Sequence, residues 1–329
     1  MNEKLAYIQK IIPSLNAPQK SAVHHFAPVN IALVKYWGKR NEVLNLPRTS
    51  SLSLTLTLGT HTTLRTTENS DKITLNGTEV SEESSMSVRT KSFLDLFRPK
   101  GVFFEIDTRN DIPTGAGLAS SASGCAALVL CLNDLFGWEL EKRSLSVLAR
   151  LASGSACRSL FTGFVKWHQG FSEDGLDSFA EPMERAPWPD LCCGLWILSS
   201  QTKPIDSRSA MNHTTKTSGL YKAWPEIVEQ DLEKVSQAIH RKDFTLLGQT
   251  IEQNALSMHA TMLAASPAVL YMLPETIQAM HTIWSLRKSG LELYFTMDAG
   301  PNVKVICRKQ DCQQVLTALP NLQFVPLLF

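Results

Sequence analysis

The sequence predicts an α+β fold in two parts, and three patterns carry that prediction. Residues 51–58 alternate Ser or Thr with Leu, as expected for a strand with one buried apolar face and one hydroxylated face. Strand and helix patterns alternate irregularly through the first 199 residues, without a regular βαβ repeat. Helical spacing dominates from residue 200 onward. We therefore place an N-terminal α+β domain at 1–199 and a C-terminal, helix-rich domain with a small sheet at 200–329.

The elements are expected in the following order. In the first domain, strand-like composition marks four further segments: 72–75, 102–106, 163–167 and 192–198. Helical spacing marks three segments there: 87–97, 118–136 and 144–152. The second domain should contain a helix at 224–243 and more helix up to 287, then strands at 291–297 and 303–307, a short helix at 313–319 and an apolar segment at 322–329. Since the chain has no internal repeat and no low-complexity linker, we expect an extensive interface with a ligand cleft between the domains.

Composition excludes several classes of function. The 329 residues contain 32 Lys plus Arg and 31 Asp plus Glu, a net charge of +1, which provides no field for broad binding to nucleic acid or membranes. The sequence has no apolar run of transmembrane length and no signal-peptide core near its start, so we expect a cytoplasmic protein. The seven cysteines are dispersed without a CxxC pair, and we interpret them as buried or idle thiols.

A Gly/Ser-rich loop followed by a helix of small residues occupies 112–124. Gly115 and Gly117 shape the loop, Ser120 and Ser121 offer hydroxyls, and the first N–H groups of the helix are unsatisfied donors, an arrangement that binds phosphate. The alternative is that the small residues only let a buried helix pack closely, and both interpretations can hold together. The dinucleotide fingerprint fails because Ser120 stands at its last glycine, and the Walker pattern fails because no Lys-Ser/Thr pair follows the second glycine.

Four further blocks contain residue types that suit an anionic ligand. Residues 27–40 place three cations within six residues beside Tyr36 and Trp37, although a solvated surface loop would look similar. The segments 153–159 and 206–211 each combine hydroxyls with an arginine in a short turn. The segment 296–302 places Asp298 between an apolar strand and a Gly-Pro turn, where an Asx-turn cap is the simpler alternative.

Taken together, these blocks resemble the mevalonate diphosphate decarboxylase family, within the superfamily of galactokinase, homoserine kinase, mevalonate kinase and phosphomevalonate kinase. The resemblance rests on Asn30-Ile-Ala-Leu-Val-Lys-Tyr-Trp-Gly-Lys39, on the loop 113–122, on the turn 154–161 and on Asp298-Ala-Gly-Pro-Asn302. In order and spacing the blocks match the family and span about four fifths of the chain.

The resemblance implies a two-lobed fold, a reaction and its partners. The N-terminal half would resemble a ribosomal-protein domain and bind ATP, and the C-terminal half would resemble a ferredoxin-like sheet with added helices. ATP would phosphorylate the tertiary alcohol of (R)-mevalonate 5-diphosphate, and loss of that phosphate would accompany decarboxylation to isopentenyl diphosphate in isoprenoid biosynthesis. The implied partners are ATP, Mg²⁺, the small-molecule substrate and a second copy in a homodimer, with no nucleic acid and no membrane.

The chemistry explains the residue types that the resemblance assigns to catalysis. A β-hydroxy acid has no carbonyl to accept the electrons released with CO2, so a leaving group must be made at the tertiary carbon. Asp298 would be the base that faces the hydroxyl, or its orienting partner. Arg158 would hold the substrate carboxylate, because a guanidinium binds anions without acting as an acid. Lys35 and Asn30 would support the geometry around the reacting alcohol.

The resemblance also assigns the binding residues. The substrate diphosphate and carboxylate would be held by Tyr36, Lys39, Arg89, Ser153, Ser155, Ser207 and Arg208. The ATP phosphates would be held by Gly115, Gly117, Leu118, Ala119, Ser120 and Ser121. No protein ligand set for a metal is expected, since Mg²⁺ would be carried by ATP, with a Ser121 contact as one option. Which of the two serines contacts phosphate or Mg²⁺ stays open.

Some positions depart from the family pattern and leave alternatives open. Residues 110–115 read Asn-Asp-Ile-Pro-Thr-Gly where relatives often have Asn-Asn-Phe-Pro-Thr-Ala. The first alternative is a kinase or decarboxylase that acts on mevalonate or mevalonate 5-phosphate. The second is an inactive small-molecule-binding homologue, against which the intact set of Lys35, Ser121, Arg158 and Asp298 argues.

Overall fold

The computed structural model describes residues 2–12, 14–111, 120–184, 187–201 and 203–329, and it confirms the α+β class. The helices in these ranges are α1 (Asn2–Ile8), α2 (Ser85–Leu94), α3 (Ser120–Leu135), α4 (Lys142–Ala152), α5 (Ser207–Thr217), α6 (Trp224–Arg241), α7 (Phe244–Leu263), α8 (Pro274–Lys288) and α9 (Cys312–Ala318). Three 3₁₀ helices accompany them, at Gly154–Leu160, Gly219–Ala223 and Lys309–Asp311.

The strands form two main sheets and a small ribbon. They are β1 (Ala22–Val34), β2 (Lys39–Asn41), β3 (Leu46–Pro47), β4 (Ser51–Thr67), β5 (Lys72–Leu75), β6 (Thr78–Glu79), β7 (Phe103–Asn110), β8 (Phe164–Trp167), β9 (Ala180–Pro182), β10 (Leu191–Trp196), β11 (Leu293–Met297), β12 (Val303–Arg308) and β13 (Leu322–Val325). The first sheet has the order β6-β5-β7-β4-β8-β9, with β1 paired to β4. The second has the order β11-β12-β10-β13.

The long strand β4 organises the first sheet. It pairs antiparallel with β1, with β7 through its second half and with β8 at its start. One face of this sheet packs on α3 and α4, and the other packs on α6 and α7, so that leucines of β4 share a core with Trp224 and Val228. The two parts of the chain therefore share a core, as the sequence indicated.

The hydroxylated face of β4 is buried as well as its leucine face. Ser51, Ser53 and Thr55 all have 0% exposure. Two of these hydroxyls form hydrogen bonds inside the protein. Ser51 Oγ accepts a hydrogen bond from Arg158, and Thr55 Oγ1 donates to the carbonyl of Leu328 at 3.1 Å. The hydroxyls of Ser51 and Thr55 thus satisfy buried polar partners, whereas Ser53 Oγ is buried without a hydrogen-bond partner among the described residues.

Strand β10 belongs to the second sheet, although it precedes residue 199. It pairs with β12 and β13, so the sheet of the C-terminal part begins at Leu191. The C-terminal segment returns to the first sheet, where Thr57 N–H donates to the carbonyl of Pro326 at 3.0 Å. The division at 199/200 stays a proposal.

The helix at 224–243 ends two residues earlier than predicted. Lys242 adopts a left-handed conformation with φ of 55°, and its N–H caps the last carbonyls of α6. No helix within the described ranges is long and apolar enough to cross a membrane. All seven cysteines are free thiols, and burial raises the pKa of Cys157 to about 12, in agreement with the expectation of idle thiols.

Candidate active site

A cleft of about 630 Å³ lies between the two parts of the protein. It contains every predicted site residue whose side chain the structure describes. These are Asn30, Lys35, Tyr36, Lys39, Arg89, Ser121, Ser153, Ser155, Arg158, Ser207, Arg208 and Asp298. Blocks that are far apart in the sequence therefore meet at one place, while the role of each residue stays a prediction.

The predicted phosphate loop is only partly within the described residues. Gly115, Gly117, Leu118 and Ala119 lie outside them, as does the side chain of Ser120, whose backbone begins α3. Ser121 in the first turn of α3 is exposed on the cleft wall. A hydroxyl at this helix start is placed to meet an anion.

The carboxylate of Asp298 lies between two lysines. Lys35 Nζ is 2.7 Å from Oδ1, and Lys304 Nζ is 3.0 Å from Oδ2. The lysine side chains are 2% and 1% exposed, whereas that of Asp298 is 23% exposed. Burial alone would raise the pKa of Asp298, but the charges of Lys304 and Lys35 outweigh it and hold that pKa well below its usual range. The cleft therefore contains an ionised carboxylate at neutral pH.

Lys35 is fixed from both its backbone and its side chain. Its N–H donates to Asn254 Oδ1 at 2.8 Å, and Asn254 Nδ2 donates to Asp231 at 2.8 Å. Its Nζ also donates to the carbonyl of Ala32 at 2.7 Å. Burial lowers the pKa of Lys35 to about 8, and Asp298 opposes that decrease. The position just after β1 thus holds a cation with little conformational freedom.

Arg158 lies in the 3₁₀ helix Gly154–Leu160 and is 3% exposed. Its Nε donates to Asn30 Oδ1 at 3.1 Å, and its Nη1 donates to Ser51 Oγ. Asn30 Nδ2 in turn donates to Ser159 Oγ at 2.7 Å. Among the described residues these bonds use Nε and Nη1, so Nη2 can face the cleft. They also fix the plane of the guanidinium, which suits it to a carboxylate.

A second group of residues surrounds Lys39. Its Nζ donates to Asn45 Oδ1 at 2.7 Å, and Asn45 Nδ2 donates to the carbonyl of Arg150 at 3.0 Å. Burial and the charge of Arg208 lower the pKa of Lys39 to about 8. Tyr36 packs edge-on against Trp167 with ring centroids 4.7 Å apart, and its buried hydroxyl finds no hydrogen-bond partner within the described part of the chain. This hydroxyl is a donor available to a ligand.

The outer edge of the cleft carries exposed cations. Arg89 on α2 is held by its own helix, with Nε donating to the carbonyl of Ser85 at 2.7 Å. Arg208 lies in the first turn of α5, whose N-cap Asp206 accepts from the N–H groups of Arg208 and Ser209. Both arginines are exposed, so their guanidinium groups are accessible to a phosphate in the cleft.

One end of the cleft is apolar. Between α2, α3, β5 and β7 it is lined by Ile73, Leu75, Met86, Phe93, Ile106 and Leu128. The sequence blocks gave no indication of this region, since its residues come from four elements that are separate in the chain. A flat, apolar group on an anionic ligand would fit here.

Several residues of the site were missed by sequence reasoning. Lys304, Asn254, Asn45 and Lys203 all contact or adjoin the predicted residues. The sequence does contain one signal for Lys304, which stands within the apolar run Val303-Lys304-Val305-Ile306. Because lysine is almost never fully buried without an anionic partner, a lysine in a buried strand indicates a nearby carboxylate.

The two-lobed α+β fold and the cation-lined cleft around one ionised carboxylate define a member of the superfamily of galactokinase, homoserine kinase, mevalonate kinase and phosphomevalonate kinase. Two family models match the chain. The diphosphomevalonate decarboxylase-like N-terminal domain matches residues 27–180, and the mevalonate 5-diphosphate decarboxylase C-terminal domain matches residues 194–326. The chain belongs to the diphosphomevalonate decarboxylase family.

Individual relatives agree with this assignment. A diphosphomevalonate decarboxylase of Gibberella zeae is 37% identical over 318 residues, which cover 89% of this chain and 82% of that protein. A solved structure described as MDDEF in complex with MVAPP, AMPPCP and magnesium is 40% identical, with a TM-score of 0.87 and coverage of 93% of this chain and 97% of that one. The mevalonate diphosphate decarboxylase of Staphylococcus aureus is 36% identical, with a TM-score of 0.87 and coverage of 94% and 96%.

Proposed function

We propose that this protein catalyses the ATP-dependent decarboxylation of (R)-mevalonate 5-diphosphate to isopentenyl diphosphate. The observation that carries the proposal is the ionised carboxylate of Asp298, held between Lys35 and Lys304 in the same cleft as the buried guanidinium of Arg158. Family membership and the names of its relatives support the same reaction.

Asp298 orients the tertiary hydroxyl and receives its proton. The hydroxyl oxygen forms a bond to the γ-phosphorus of ATP, the bond from that phosphorus to ADP breaks, and the proton passes to the carboxylate. Because the pKa of Asp298 lies well below its usual range, the carboxylate is a weak base and accepts the proton late in the transfer. Lys35, bonded to Oδ1, lies next to the charge that develops on the transferred group.

Arg158 holds the substrate carboxylate during the second stage. The bond between the tertiary carbon and the phosphate oxygen breaks, and phosphate leaves with the bonding electrons. The bond to the carboxylate carbon then supplies the electron pair of the new double bond, and CO2 departs. A guanidinium with its plane fixed by Asn30 and Ser51 stabilises the carboxylate until the carbon–carbon bond breaks, without protonating it.

The substrate diphosphate is assigned to the residues around Lys39. Tyr36 offers its hydroxyl, which has no hydrogen-bond partner among the described residues, and Ser153, Ser155, Ser207 and Arg208 line the same cleft. Binding a polyanion here would raise the pKa of Lys39, which burial holds at about 8 in the free protein. Arg89 lines the same cleft from α2, is exposed and is assigned to the phosphate groups as a second cation.

ATP is the second substrate, and the apolar end of the cleft between α2 and α3 accommodates its base. The Mg²⁺ ion would be bound through the phosphates of the nucleotide, with the Ser121 hydroxyl, which faces the cleft, as a candidate protein contact. When Mg²⁺ is bound with the phosphates, it neutralises part of their charge and orients them. The start of α3 provides N–H groups to the same phosphates.

The test of this proposal measures two products in one vessel. Purified protein is mixed with MgATP and (R)-mevalonate 5-diphosphate, and ADP and CO2 are followed together, with mevalonate 5-phosphate and mevalonate as parallel substrates. Equal amounts of ADP and CO2 from the diphosphate are expected. ADP without CO2 would replace the proposal by a kinase, CO2 mainly from the monophosphate would change its substrate, and no product from any of the three would indicate an inactive binding protein.

Assembly and location are part of the proposal. Exposed apolar side chains are concentrated between residues 263 and 277, at Leu263, Leu270, Leu273 and Ile277, which supports a homodimer. Seven free thiols support a cytoplasmic location. Size-exclusion chromatography with light scattering measures the oligomeric state, and fractionation of the source cells measures the location.

A further inference from the structure

Lys304 is a lysine buried in the middle of a sheet, on the side of Asp298 away from the cleft. It lies in β12, which is paired on one side with β11 and on the other with β10. Its neighbours Val303 and Val305 belong to the core beneath α8, whereas Ile306 belongs to the core shared with α6 and α7. Because side chains alternate along a strand, Lys304 leaves the sheet on the face of Ile306, among apolar residues.

A lysine in such a place needs an anionic partner, and that partner is the proposed base. Lys304 Nζ is 3.0 Å from Asp298 Oδ2, on the opposite oxygen from Lys35. Lys304 itself does not line the cleft within the described part of the chain, so it contacts Asp298 from behind. Lys35 donates a hydrogen bond to Oδ1, and Lys304 forms an ion pair with Oδ2, so two buried ammonium groups attract opposite oxygens and oppose rotation of the carboxylate.

We propose that Lys304 is a positioning residue of the reaction, which fixes the orientation of the Asp298 carboxylate toward the tertiary hydroxyl through Oδ2. This inference rests on the proposed function, because it assigns a role to a residue that acts through Asp298. A lysine that only tied β12 to the loop after β11 would have no effect on catalysis in a folded protein.

The groups around Asp298 determine how removal of Lys304 would be detected. The charged or titratable groups that face it from the packed elements are Lys35, Lys304, Arg158, Lys203, His259 and Cys193. His259 Nε2 donates to the carbonyl of Asp298 at 3.1 Å, and burial lowers its pKa to about 4, so it is neutral in the assay range. Burial raises the pKa of Cys193 to about 12, so it too stays neutral. Loss of Lys304 therefore removes the cation at Oδ2, and neither His259 nor Cys193 can supply a charge in its place.

The experiment compares Lys304→Met with the wild type and with Lys288→Met, a matched change at an exposed position near the end of α8. ADP and CO2 release are measured across pH, together with KM for both substrates, and folding is checked by circular dichroism. We expect kcat to fall about 10- to 100-fold with both KM values little changed, because a displaced catalytic group lowers kcat. We also expect the acid limb of kcat to move up by about 1 to 3 pH units, because one favourable charge on Asp298 is lost.

A folded Lys304→Met protein with an unchanged acid limb and kcat within about twofold of wild type would overturn the role of Lys304. If Lys304→Met does not fold, Lys304→Gln keeps a hydrogen-bond donor of similar length, and its acid limb should also move upward. Wild-type protein that releases neither product would overturn the proposed function instead, so the two failures are distinguishable.

Discussion

Replacing Asp298 by alanine should damage activity and stability together. The substitution removes the carboxylate that faces the cleft and leaves Lys35 and Lys304 without their shared partner, at 2% and 1% side-chain exposure. Removing one partner of a buried ion pair costs about 3–5 kcal/mol. Since Asp298 is itself 23% exposed, we expect the lower end, about 3 kcal/mol.

The expected changes can be stated for three assays. A loss of about 3 kcal/mol lowers Tm by about 4 °C in a chain of 329 residues, because the entropy of unfolding is about 2.1 cal/mol/K per residue. Loss of a positioned acid–base group lowers kcat by about 100- to 10,000-fold. ATP binding should change little, because the proposed site for its base lies between α2 and α3. Differential scanning calorimetry, turnover and ATP titration on the same sample measure all three.

Glu229→Ala is a matched control, since it removes an exposed carboxylate from α6 and should change stability by less than about 0.5 kcal/mol. Retention of more than about a tenth of wild-type turnover by Asp298→Ala would refute its role as the proton acceptor. An unchanged Tm would refute the argument that the two lysines depend on it.

Two further outcomes follow from the same geometry. In the free protein burial lowers the pKa values of Lys35 and Lys39 to about 8, so kcat/KM should fall above about pH 8 as these cations lose their protons; a kcat/KM that is flat up to pH 10 would contradict this. A Cβ at Gly154 would lie 2.9 Å from Tyr36 Oη, so Gly154→Ala should raise KM for the diphosphate substrate about 5- to 10-fold by displacing that ring. Gly219→Ala is its control, because a Cβ there meets nothing within 4 Å, and equal kinetics for the two variants would exclude the contact.

Much of the fold could be predicted because the relevant patterns are local. The alternation in 51–58 and the helical spacing in 224–243 each depend on neighbouring residues, and both elements are present with altered ends. The burial of Ser51 and Ser53 could not be predicted, because it depends on Arg158 and on strands that are distant in the sequence. The helix that ends at Arg241 stops at a left-handed lysine, for which the sequence offers no glycine signal.

The candidate site divides in the same way. Residues such as Lys35, Arg158 and Asp298 occur in contiguous blocks that resemble a known family, and the structure brings those blocks to one cleft. Lys304 and Asn254 act through a partner on another element, so no local spacing marks them. Their contacts become visible only when β12 and α7 are packed behind the cleft.

The central claim is that phosphate forms on the tertiary oxygen before CO2 is lost. The most direct test uses (R)-mevalonate 5-diphosphate labelled with ¹⁸O in its tertiary hydroxyl, with MgATP, and determines the isotope in the released inorganic phosphate by mass spectrometry. Transfer to that oxygen and cleavage of its bond to carbon predict one ¹⁸O atom in each phosphate released. Unlabelled phosphate, with the ¹⁸O found in water, would contradict the account.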